Sequence, residues 1–337
     1  MSDWFVLGVD LGSTTAKAAV ADQDGVLRGW SVIQMGAVSR EAVGRAMEAA
    51  LADAGITADE IEYTVSTGYR RKLVPGVDRS FTEITCHARG AAALHPGVRL
   101  VIDIGGQDSK AITVDADGLV DRFAMNDRCA SGTGRFFDVL ARALEVDVAD
   151  VGDLALSGAE GLEVSSMCAT FAETEVISML AQGQDKADIA ASVHKAVAGR
   201  TLGLVAQVGK GGSTVMTGGV AKNPAARHFL SRALGYEVEQ LDQPQIAGAY
   251  GAALLAVDAR RGIERETQNR ATEQNRATEQ DRATEQDLLA RLASGAPHCV
   301  DCDGVLGHHD AHGHERGVAG PVPLILQTTR VLEGSGR

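Results

Sequence analysis

Two short stretches of this chain share a pattern of residues that could hold a charged ligand. Each reads Asp, an aliphatic residue, Gly, four further residues and Lys, and they run Asp10–Lys17 and Asp103–Lys110. Each begins at the end of an apolar run that predicts a buried strand. A glycine after a strand leaves backbone N–H groups open to a ligand, and such groups favour anions, above all phosphate. The repetition predicts a duplicated fold whose two glycine turns face each other across a cleft.

The charged side chains of the two turns indicate how a phosphate group would be bound. Asp10 and Asp103 would repel phosphate, so we expect Mg2+ between carboxylate and phosphate, or one carboxylate that orients the attacking water. Lys17 and Lys110 are candidates for phosphate contacts. Neither turn is a P-loop, because the G-x-x-x-x-G-K-[ST] pattern is absent from the chain. An ordinary β-turn would explain one copy, whereas two copies in matching positions favour a ligand site.

Cys129 and Cys168 each stand just before a predicted helix, which favours a reactive or metal-binding thiolate. The N–H groups and the dipole at a helix start lower the pKa of a thiol and offset the negative charge of a metal cluster. An iron–sulfur cluster takes four protein ligands, and two chains related by a two-fold axis would supply them. The alternative for either cysteine is a small buried side chain. Cys86 lacks this setting, and we interpret it as structural.

The composition excludes several classes of protein. The chain has 337 residues, 45% of them hydrophobic, and a formal net charge of −13. This length allows two domains with their own cores, and the negative charge argues against nucleic-acid binding. The sequence shows no signal-peptide pattern, and no apolar run approaches the roughly 20 residues of a membrane span. We therefore expect a cytoplasmic protein that binds neither nucleic acid nor membrane, and five cysteines in such a protein favour metal or redox groups over disulfides.

The elements that carry these residues form two series along the chain. The first comprises predicted strands at 5–9, 17–21, 26–30 and 62–66 and a helix at 40–54. The second comprises predicted strands at 99–104, 110–114, 119–124 and 214–216 and helices at 134–144, 169–182, 187–207, 224–234 and 247–259. Each series opens with three strands and then alternates helix and strand, which predicts an α/β fold.

The composition changes after Asp258. The hexapeptide Arg270–Asn275 is followed by two close copies with a period of six residues, which matches no helical period and carries almost no apolar residue. We interpret this segment as a solvated linker. Cys299 and Cys302, with four histidines between residues 308 and 314, resemble a metal-binding tract. We interpret the segment as a disordered histidine-rich tail, with a metal site as the alternative.

Eight longer stretches lie in order between residues 8 and 256: GVDLGSTTAK, STGYRR, TCHARGA, VIDIGGQDSK, MNDRCASGTGRFFDVLA, CATFAETEVISMLAQG, VMTGGVAKNPA and AGAYGAALLA. Through them the chain resembles the ATP-dependent activators of 2-hydroxyacyl-CoA dehydratases and the related ATPase subunits of benzoyl-CoA reductase. The resemblance implies a fold like that of actin, hexokinase and other sugar kinases, with nucleotide between two duplicated ribonuclease-H-like domains. We expect the first domain at 1–97, completed by the helix at 247–259, the second at 98–246, and a disordered tail at 260–337.

The resemblance also implies the ligands and their site residues. It implies ATP with Mg2+, phosphate contacts at the two glycine turns and adenosine contacts at Thr217–Ala221. The implied catalytic residues are Asp10, Asp103 and Gln107. The implied nucleotide-binding residues are Gly12, Ser13, Thr14, Thr15, Lys17, Gly105, Gly106, Asp108, Thr217, Gly218, Gly219, Val220 and Ala221. Cys129 and Cys168 are implied to ligate one [4Fe-4S] cluster that bridges a homodimer.

The function implied by the resemblance is an ATPase coupled to electron transfer. Ferredoxin or flavodoxin reduces the cluster, ATP binding and hydrolysis change the angle between the domains, and one electron passes to a partner acyl-CoA enzyme. That partner is a 2-hydroxyacyl-CoA dehydratase or, alternatively, a benzoyl-CoA reductase component. A sugar or acetate kinase of this fold would explain the nucleotide turns but not Cys129 and Cys168. A second alternative is a non-catalytic scaffold with a degenerate ATP site, and the intact aspartates and glycines of the two turns argue against it.

Overall fold

Short runs of aliphatic residues form two five-stranded sheets in this protein. The computed structural model describes residues 4–35, 40–126, 132–164 and 169–262, which all lie within one compact unit of the chain. The strands of the first sheet are Phe5–Leu11 (β1), Thr15–Asp22 (β2), Leu27–Gln34 (β3), Ile61–Thr67 (β4) and Arg79–Ser80 (β5). Those of the second are Leu100–Ile104 (β6), Ser109–Val114 (β7), Val120–Asn126 (β8), Thr214–Thr217 (β9) and Glu239–Gln240 (β10).

The two sheets have the same topology. Their strand orders are β3-β2-β1-β4-β5 and β8-β7-β6-β9-β10. In each sheet the first three strands are antiparallel, and the fourth and fifth strands are added in parallel. The expected α/β fold with two duplicated ribonuclease-H-like halves is confirmed.

The described part of the chain contains eight α-helices: Arg40–Ala54 (α1), Glu83–Leu94 (α2), Gly134–Leu144 (α3), Val151–Leu156 (α4), Ala169–Ala181 (α5), Lys186–Val208 (α6), Pro224–Leu234 (α7) and Ala247–Arg261 (α8). Six of them agree with the predicted helices to within two residues, while α2 and α4 were not predicted. The available signal for α2 was Thr82, whose side chain caps the helix by accepting the N–H of Thr85 at 3.3 Å. None of these eight helices is both long and apolar enough to cross a membrane.

Alternate residues of the strands enter different cores, because successive side chains of a strand point to opposite faces. On β1, Val6 packs with α8, while Leu7 and Val9 pack with α1. In the second sheet, one face packs against α3, α6 and α7. Its other face packs against α2 and the start of α8. Both α2 and α8 therefore belong to the layer between the two sheets, where they reach the cleft described below.

The duplication extends to a turn that the sequence analysis overlooked. The pattern Asp-x-Asp-Gly-aliphatic occurs at 22–26 and again at 115–119. The Oδ1 atoms of Asp22 and Asp115 each accept the backbone N–H groups two and four residues further on, at 2.9–3.0 Å. Gly25 and Gly118 have φ values of 79° and 78°, which glycine adopts without steric cost. The same side-chain bonds thus shape one hairpin in each sheet.

Helix α8 packs against its neighbours through backbone atoms. An ideal Cβ on Gly251 would lie 1.8 Å from the carbonyl oxygen of Cys86, and one on Gly90 would lie 1.9 Å from that of Ala247. The same holds for Gly8 of β1, at 2.0 Å from a carbonyl oxygen of α8. No side chain fits at these distances, so α8 lies directly on α2 and β1. The domain boundaries given above stay a prediction, and residues 263–337 lie outside the described part.

Substitution of Gly251 by alanine is expected to destabilise the protein by about 3 kcal/mol, because the new methyl group forces the two helix backbones apart. The urea concentration at half-unfolding measures this loss. Gly44→Ala in α1 is the matched control, since nothing lies within 4 Å of an ideal Cβ there. That control should stabilise the protein by up to about 1 kcal/mol, as alanine does in helices. Equal midpoints for the two variants would contradict the close packing of α8.

Candidate functional site

Each sheet pairs an aspartate with a lysine at the end of its central strand. Asp10 on β1 lies opposite Lys17 on β2, and Asp103 on β6 lies opposite Lys110 on β7. The lysine Nζ atoms lie 2.9 Å from Asp10 Oδ2 and 3.1 Å from Asp103 Oδ2. Both pairs have a spacing of seven residues because a short turn joins the two strands. The motif found in the sequence is therefore a cross-strand ion pair, formed once in each sheet.

A threonine and a glycine approach each aspartate from the neighbouring parallel strand. Strands β4 and β9 end at Thr67 and Thr217, which lie opposite the two aspartates. The glycines that follow, Gly68 and Gly218, have φ values of 93° and 84°. An ideal Cβ on these glycines would lie only 2.4 Å and 2.9 Å, respectively, from the Oδ1 atom of the adjacent aspartate. The Thr-Gly pair is a third duplicated element, and it fixes the aspartate from the side opposite to the lysine.

A cleft of about 690 Å³ opens where the turns of the two sheets meet. The two glycine turns touch, since an ideal Cβ on Gly106 would lie 2.8 Å from the Oγ1 atom of Thr14. The residues that the sequence analysis assigned to nucleotide binding or hydrolysis and that line this cleft are Asp10, Gly12, Ser13, Thr14, Thr15, Lys17, Asp103, Gly105, Gly106, Gln107, Asp108, Gly218, Gly219 and Val220. Two others, Thr217 and Ala221, are fully buried. Thr217 instead donates a hydrogen bond of 2.9 Å to Asp103 Oδ1.

Lys110 is the centre of a buried group of charges at the base of the cleft. Its Nζ lies 2.8 Å from Asp108 Oδ1, 3.1 Å from Asp103 Oδ2 and 3.5 Å from Glu83 Oε2, and its side chain is 1% exposed. Burial alone would lower the pKa of Lys110, but the three carboxylates raise it above the usual value. Burial likewise opposes ionisation of Asp103, but His87 and Lys110 hold the pKa of Asp103 well below its usual range. The base of the cleft therefore keeps both charges.

Two cleft residues, Glu83 and His87, were missed by the sequence analysis because their helix α2 was not predicted. They are four residues apart and so lie on one helix face. His87 Nδ1 lies 3.4 Å from Asp103 Oδ1, which joins α2 to the second sheet. Burial raises the pKa of Glu83, and this effect outweighs the opposing attraction of Lys110. The four-residue spacing next to the Thr82 cap was the only local signal for this pair.

A buried histidine orients Asn223, another cleft residue that the sequence analysis did not single out. Asn223 Oδ1 accepts the N–H of Ala226 at 3.0 Å and so caps α7. Its Nδ2 lies 2.9 Å from His194 Nε2, and His194 Nδ1 lies 2.7 Å from the carbonyl oxygen of Ala190. The carbonyl requires a proton on Nδ1, so Nε2 accepts from the amide. Burial lowers the pKa of His194 to about 4, which keeps this neutral tautomer and fixes the amide.

The second glycine turn is hydrogen-bonded to the start of α3. The N–H of Gly134 donates to the carbonyl oxygen of Gly105 at 2.8 Å, and the N–H of Arg135 donates to that of Gly106 at 3.0 Å. An ideal Cβ on Gly134 would lie 3.1 Å from the same Gly105 oxygen. The second glycine turn and the first residues of α3 are therefore joined through backbone atoms.

The cysteines predicted to hold a metal cluster, Cys129 and Cys168, lie outside the described residues. They precede α3 and α5, as the sequence analysis expected. Cys299 and Cys302 also lie outside. In the part of the chain that is described, no three side chains of the His, Cys, Asp or Glu type are grouped so as to hold a metal ion. Cys86 is fully buried, and burial raises the pKa of its thiol to about 12, which agrees with a structural role.

Known proteins resemble this chain over most of its length. The (R)-2-hydroxyglutaryl-CoA dehydratase activating ATPase of Acidaminococcus fermentans is 42% identical over 253 residues, which are 75% of this chain and 96% of the relative. A benzoyl-CoA reductase subunit of Thauera aromatica is 31% identical over 276 residues, 79% of this chain and 98% of the relative. A solved structure of the 2-hydroxyisocaproyl-CoA dehydratase activator from Clostridium difficile with bound ADPNP has a TM-score of 0.73 and 37% identity, and it covers 78% of this chain and 97% of that chain.

The family comparison spans both sheets and the cleft between them. A family model matches residues 7–256, from β1 to α8, and so includes both aspartate–lysine pairs and both Thr-Gly pairs. On this match, the chain belongs to the BadF/BadG/BcrA/BcrD ATPase family.

Proposed function

We propose that this protein hydrolyses ATP in the cleft and uses the reaction to drive one-electron reduction of a 2-hydroxyacyl-CoA dehydratase. The observation that carries the proposal is the pair of touching glycine turns, each with its own aspartate, that line a cleft of about 690 Å³. This volume is in the range of small-molecule sites. The 42% identity with a dehydratase-activating ATPase supports the choice of partner.

In this proposal the triphosphate lies between the two turns. The N–H groups of Gly12 and Gly105 close the turns by donating to the carbonyl oxygens of Thr15 and Asp108. Other backbone N–H groups of the two turns and the hydroxyl groups of Ser13 and Thr14 bind the phosphate oxygens. Lys17, which is partly exposed in the cleft, offsets their charge as well as that of Asp10. The adenosine lies against the Gly218–Val220 segment, near the Asn223 amide. Gln107 orients the attacking water, as a glutamine does in other nucleotide hydrolases.

The residues present fit a Mg2+ ion, because this ion commonly takes one or two carboxylates together with phosphate oxygens and water. Asp10 and Asp103 offer one carboxylate from each sheet, and two carboxylates are enough for this ion. The ion, when bound, neutralises charge on the phosphates. Asp103 stays ionised for such a role, because His87 and Lys110 hold its pKa low.

We further propose that two chains share one [4Fe-4S] cluster through Cys129 and Cys168, with ferredoxin or flavodoxin as its electron donor. The cluster, when bound, supplies one-electron chemistry. The hydrogen bonds from Gly134 and Arg135 to the second glycine turn support the coupling, since they join the cleft to the helix that follows Cys129.

A second candidate partner is the benzoyl-CoA reductase system. The 31% identity with the Thauera aromatica reductase component favours this alternative, and the same cleft chemistry serves both. The two proposals differ only in which acyl-CoA enzyme receives the electron.

The test is an anaerobic assay of the reduced protein with a separately purified dehydratase component. We expect dehydration of the 2-hydroxyacyl-CoA to require ATP and to stop with a non-hydrolysable ATP analogue. The same assay with the other components of benzoyl-CoA reductase decides between the two partners. Transfer of the γ-phosphate to a sugar or to acetate, instead of release as inorganic phosphate, would contradict the proposal and identify a kinase.

A further inference from the structure

Five carboxylates of the described residues line the cleft, and they differ in position and in their neighbours. Asp10, Glu83, Asp103, Asp108 and Asp138 all line it. Asp138 is exposed on α3, whereas the other four lie at the base beside the glycine turns. Hydrolysis of ATP needs a group that takes a proton from the attacking water. The neighbours of each base carboxylate decide which of the four is suited to this task.

Three of these carboxylates have close cationic or hydroxyl partners. Lys17 Nζ lies 2.9 Å from Asp10, and Lys110 Nζ lies 2.8 Å from Asp108. Asp103 has Lys110 at 3.1 Å as well as the hydroxyl group of Thr217 at 2.9 Å. These contacts occupy carboxylate oxygens that would otherwise be available to a water proton. For Asp103 the neighbouring charges of His87 and Lys110 also hold the pKa of the carboxyl well below its usual range.

Glu83 is different. Among the described residues its carboxylate has one cationic partner within 4 Å, Lys110 at 3.5 Å, and that ammonium group is closer to two other carboxylates. Its side chain is 16% exposed, and Glu83 lines the cleft. Burial, with a smaller contribution from the charges of Asp108 and Asp10, raises the pKa of Glu83 against the opposing attraction of Lys110 and His87. A carboxylate with a raised pKa takes up a proton more readily near neutral pH.

Helix α2 holds this carboxylate in place. Glu83 is the first residue of the helix, and Thr82 caps it through the N–H of Thr85. The helix is in turn fixed by the backbone contact of Gly90 with Ala247 of α8. A proton acceptor on a rigid element keeps its position relative to the bound phosphate.

We propose that Glu83 is the catalytic residue that accepts the proton of the attacking water. The inference rests on the proposed function, because it presumes that ATP is hydrolysed in this cleft. The water oxygen forms a bond to the γ-phosphorus, and the bond from that phosphorus to the bridging oxygen breaks. The bridging oxygen keeps the electron pair and leaves with ADP. The water proton passes to a carboxylate oxygen of Glu83, which later releases it to solvent.

The decisive variant is Glu83→Gln, which keeps the size of the side chain and removes the proton acceptor. We expect its kcat for ATP hydrolysis to fall by about 10²- to 10³-fold, while the Kd for ATP changes by less than about 3-fold. Glu41→Gln is the matched control, because Glu41 is also acidic and lies in the first turn of a helix, α1, but is exposed and outside the cleft. It should keep the parental kcat and Kd.

A second variant tests proton transfer separately from structure. Glu83→Ala should be equally slow, and added formate should restore part of its kcat, since a small carboxylate can occupy the vacated space. A Glu83→Gln protein that binds ATP and keeps the parental kcat would overturn the role of Glu83 but not the proposed function. A parent protein that binds ATP without releasing phosphate would overturn both. A Glu83→Ala protein that binds ATP but gains nothing from formate would assign Glu83 to positioning and overturn the proton transfer.

Discussion

An Asp103→Asn variant is expected to hydrolyse ATP about 10³-fold more slowly than the parent, and Asp10→Asn should show a loss of similar size. Each change removes one carboxylate from the proposed Mg2+ and water site but keeps the shape of the side chain. The Asp103→Asn variant should fold, because Lys110 retains Asp108 at 2.8 Å and Glu83 at 3.5 Å. The Asp10→Asn variant should fold, because the side chain of Lys17 is partly exposed in the cleft, where water can solvate its charge. Release of inorganic phosphate at saturating ATP measures the rate, and iron content should equal that of the parent.

Asp115→Asn is the control for these variants. Asp115 is also an aspartate of the second sheet, like Asp103. Its carboxylate, however, shapes the hairpin between β7 and β8 and does not line the cleft. Its ATPase rate should match that of the parent. If Asp10→Asn and Asp103→Asn both turn over ATP at the parental rate, the assignment of the cleft as the hydrolytic site is wrong.

The second large effect concerns the cluster. We expect the anaerobically purified parent to contain four iron atoms and four sulfide ions per two chains, and Cys129→Ser or Cys168→Ser to lose essentially all of them. Electron transfer to the partner enzyme should be lost in both variants. ATP binding should survive, because the two glycine turns that form the cleft do not include either cysteine.

Cys86→Ala is the matched control for these variants, since the thiol of Cys86 is fully buried and its raised pKa, about 12, makes it a poor metal ligand. This control should keep its iron. Four iron atoms per chain, or a Cys168→Ser protein with a normal cluster, would rule out a shared cluster with these four ligands.

The central ion pairs could be predicted from the sequence because their geometry is local. A spacing of seven residues across a short turn places Asp10 next to Lys17 and Asp103 next to Lys110. Two further duplicated elements, the Thr-Gly pairs and the Asp-x-Asp-Gly turns, escaped notice because two to five residues recur too often by chance. They can be recognised as duplicated elements only when the two sheets are compared strand by strand.

Other features of the cleft depend on packing between distant segments, which spacing does not reveal. His87 meets Asp103 because α2 lies against the second sheet, and that placement depends on glycines that let α2 approach α8. The burial of Thr217 has a different cause. Thr217 is the last residue of β9 and donates its hydroxyl group to Asp103, whereas Gly218–Val220 follow the end of the strand and line the cleft. Sequence reasoning treated that run as one unit.

The position of α8 has a consequence for how the chain folds as it is made. The ribosome delivers Gly8 of β1 more than two hundred residues before the helix that lies on it, so the first sheet emerges with one face uncovered. One face of the second sheet has a large core drawn entirely from residues 100–238, and this core is complete before α8 appears. Nascent chains usually fold from the N-terminal side, but here the half translated later is expected to become stable first. Until residue 261 has emerged, the face of the first sheet that carries Val6, Ala19, Ala21 and Val65 is available for a chaperone to bind.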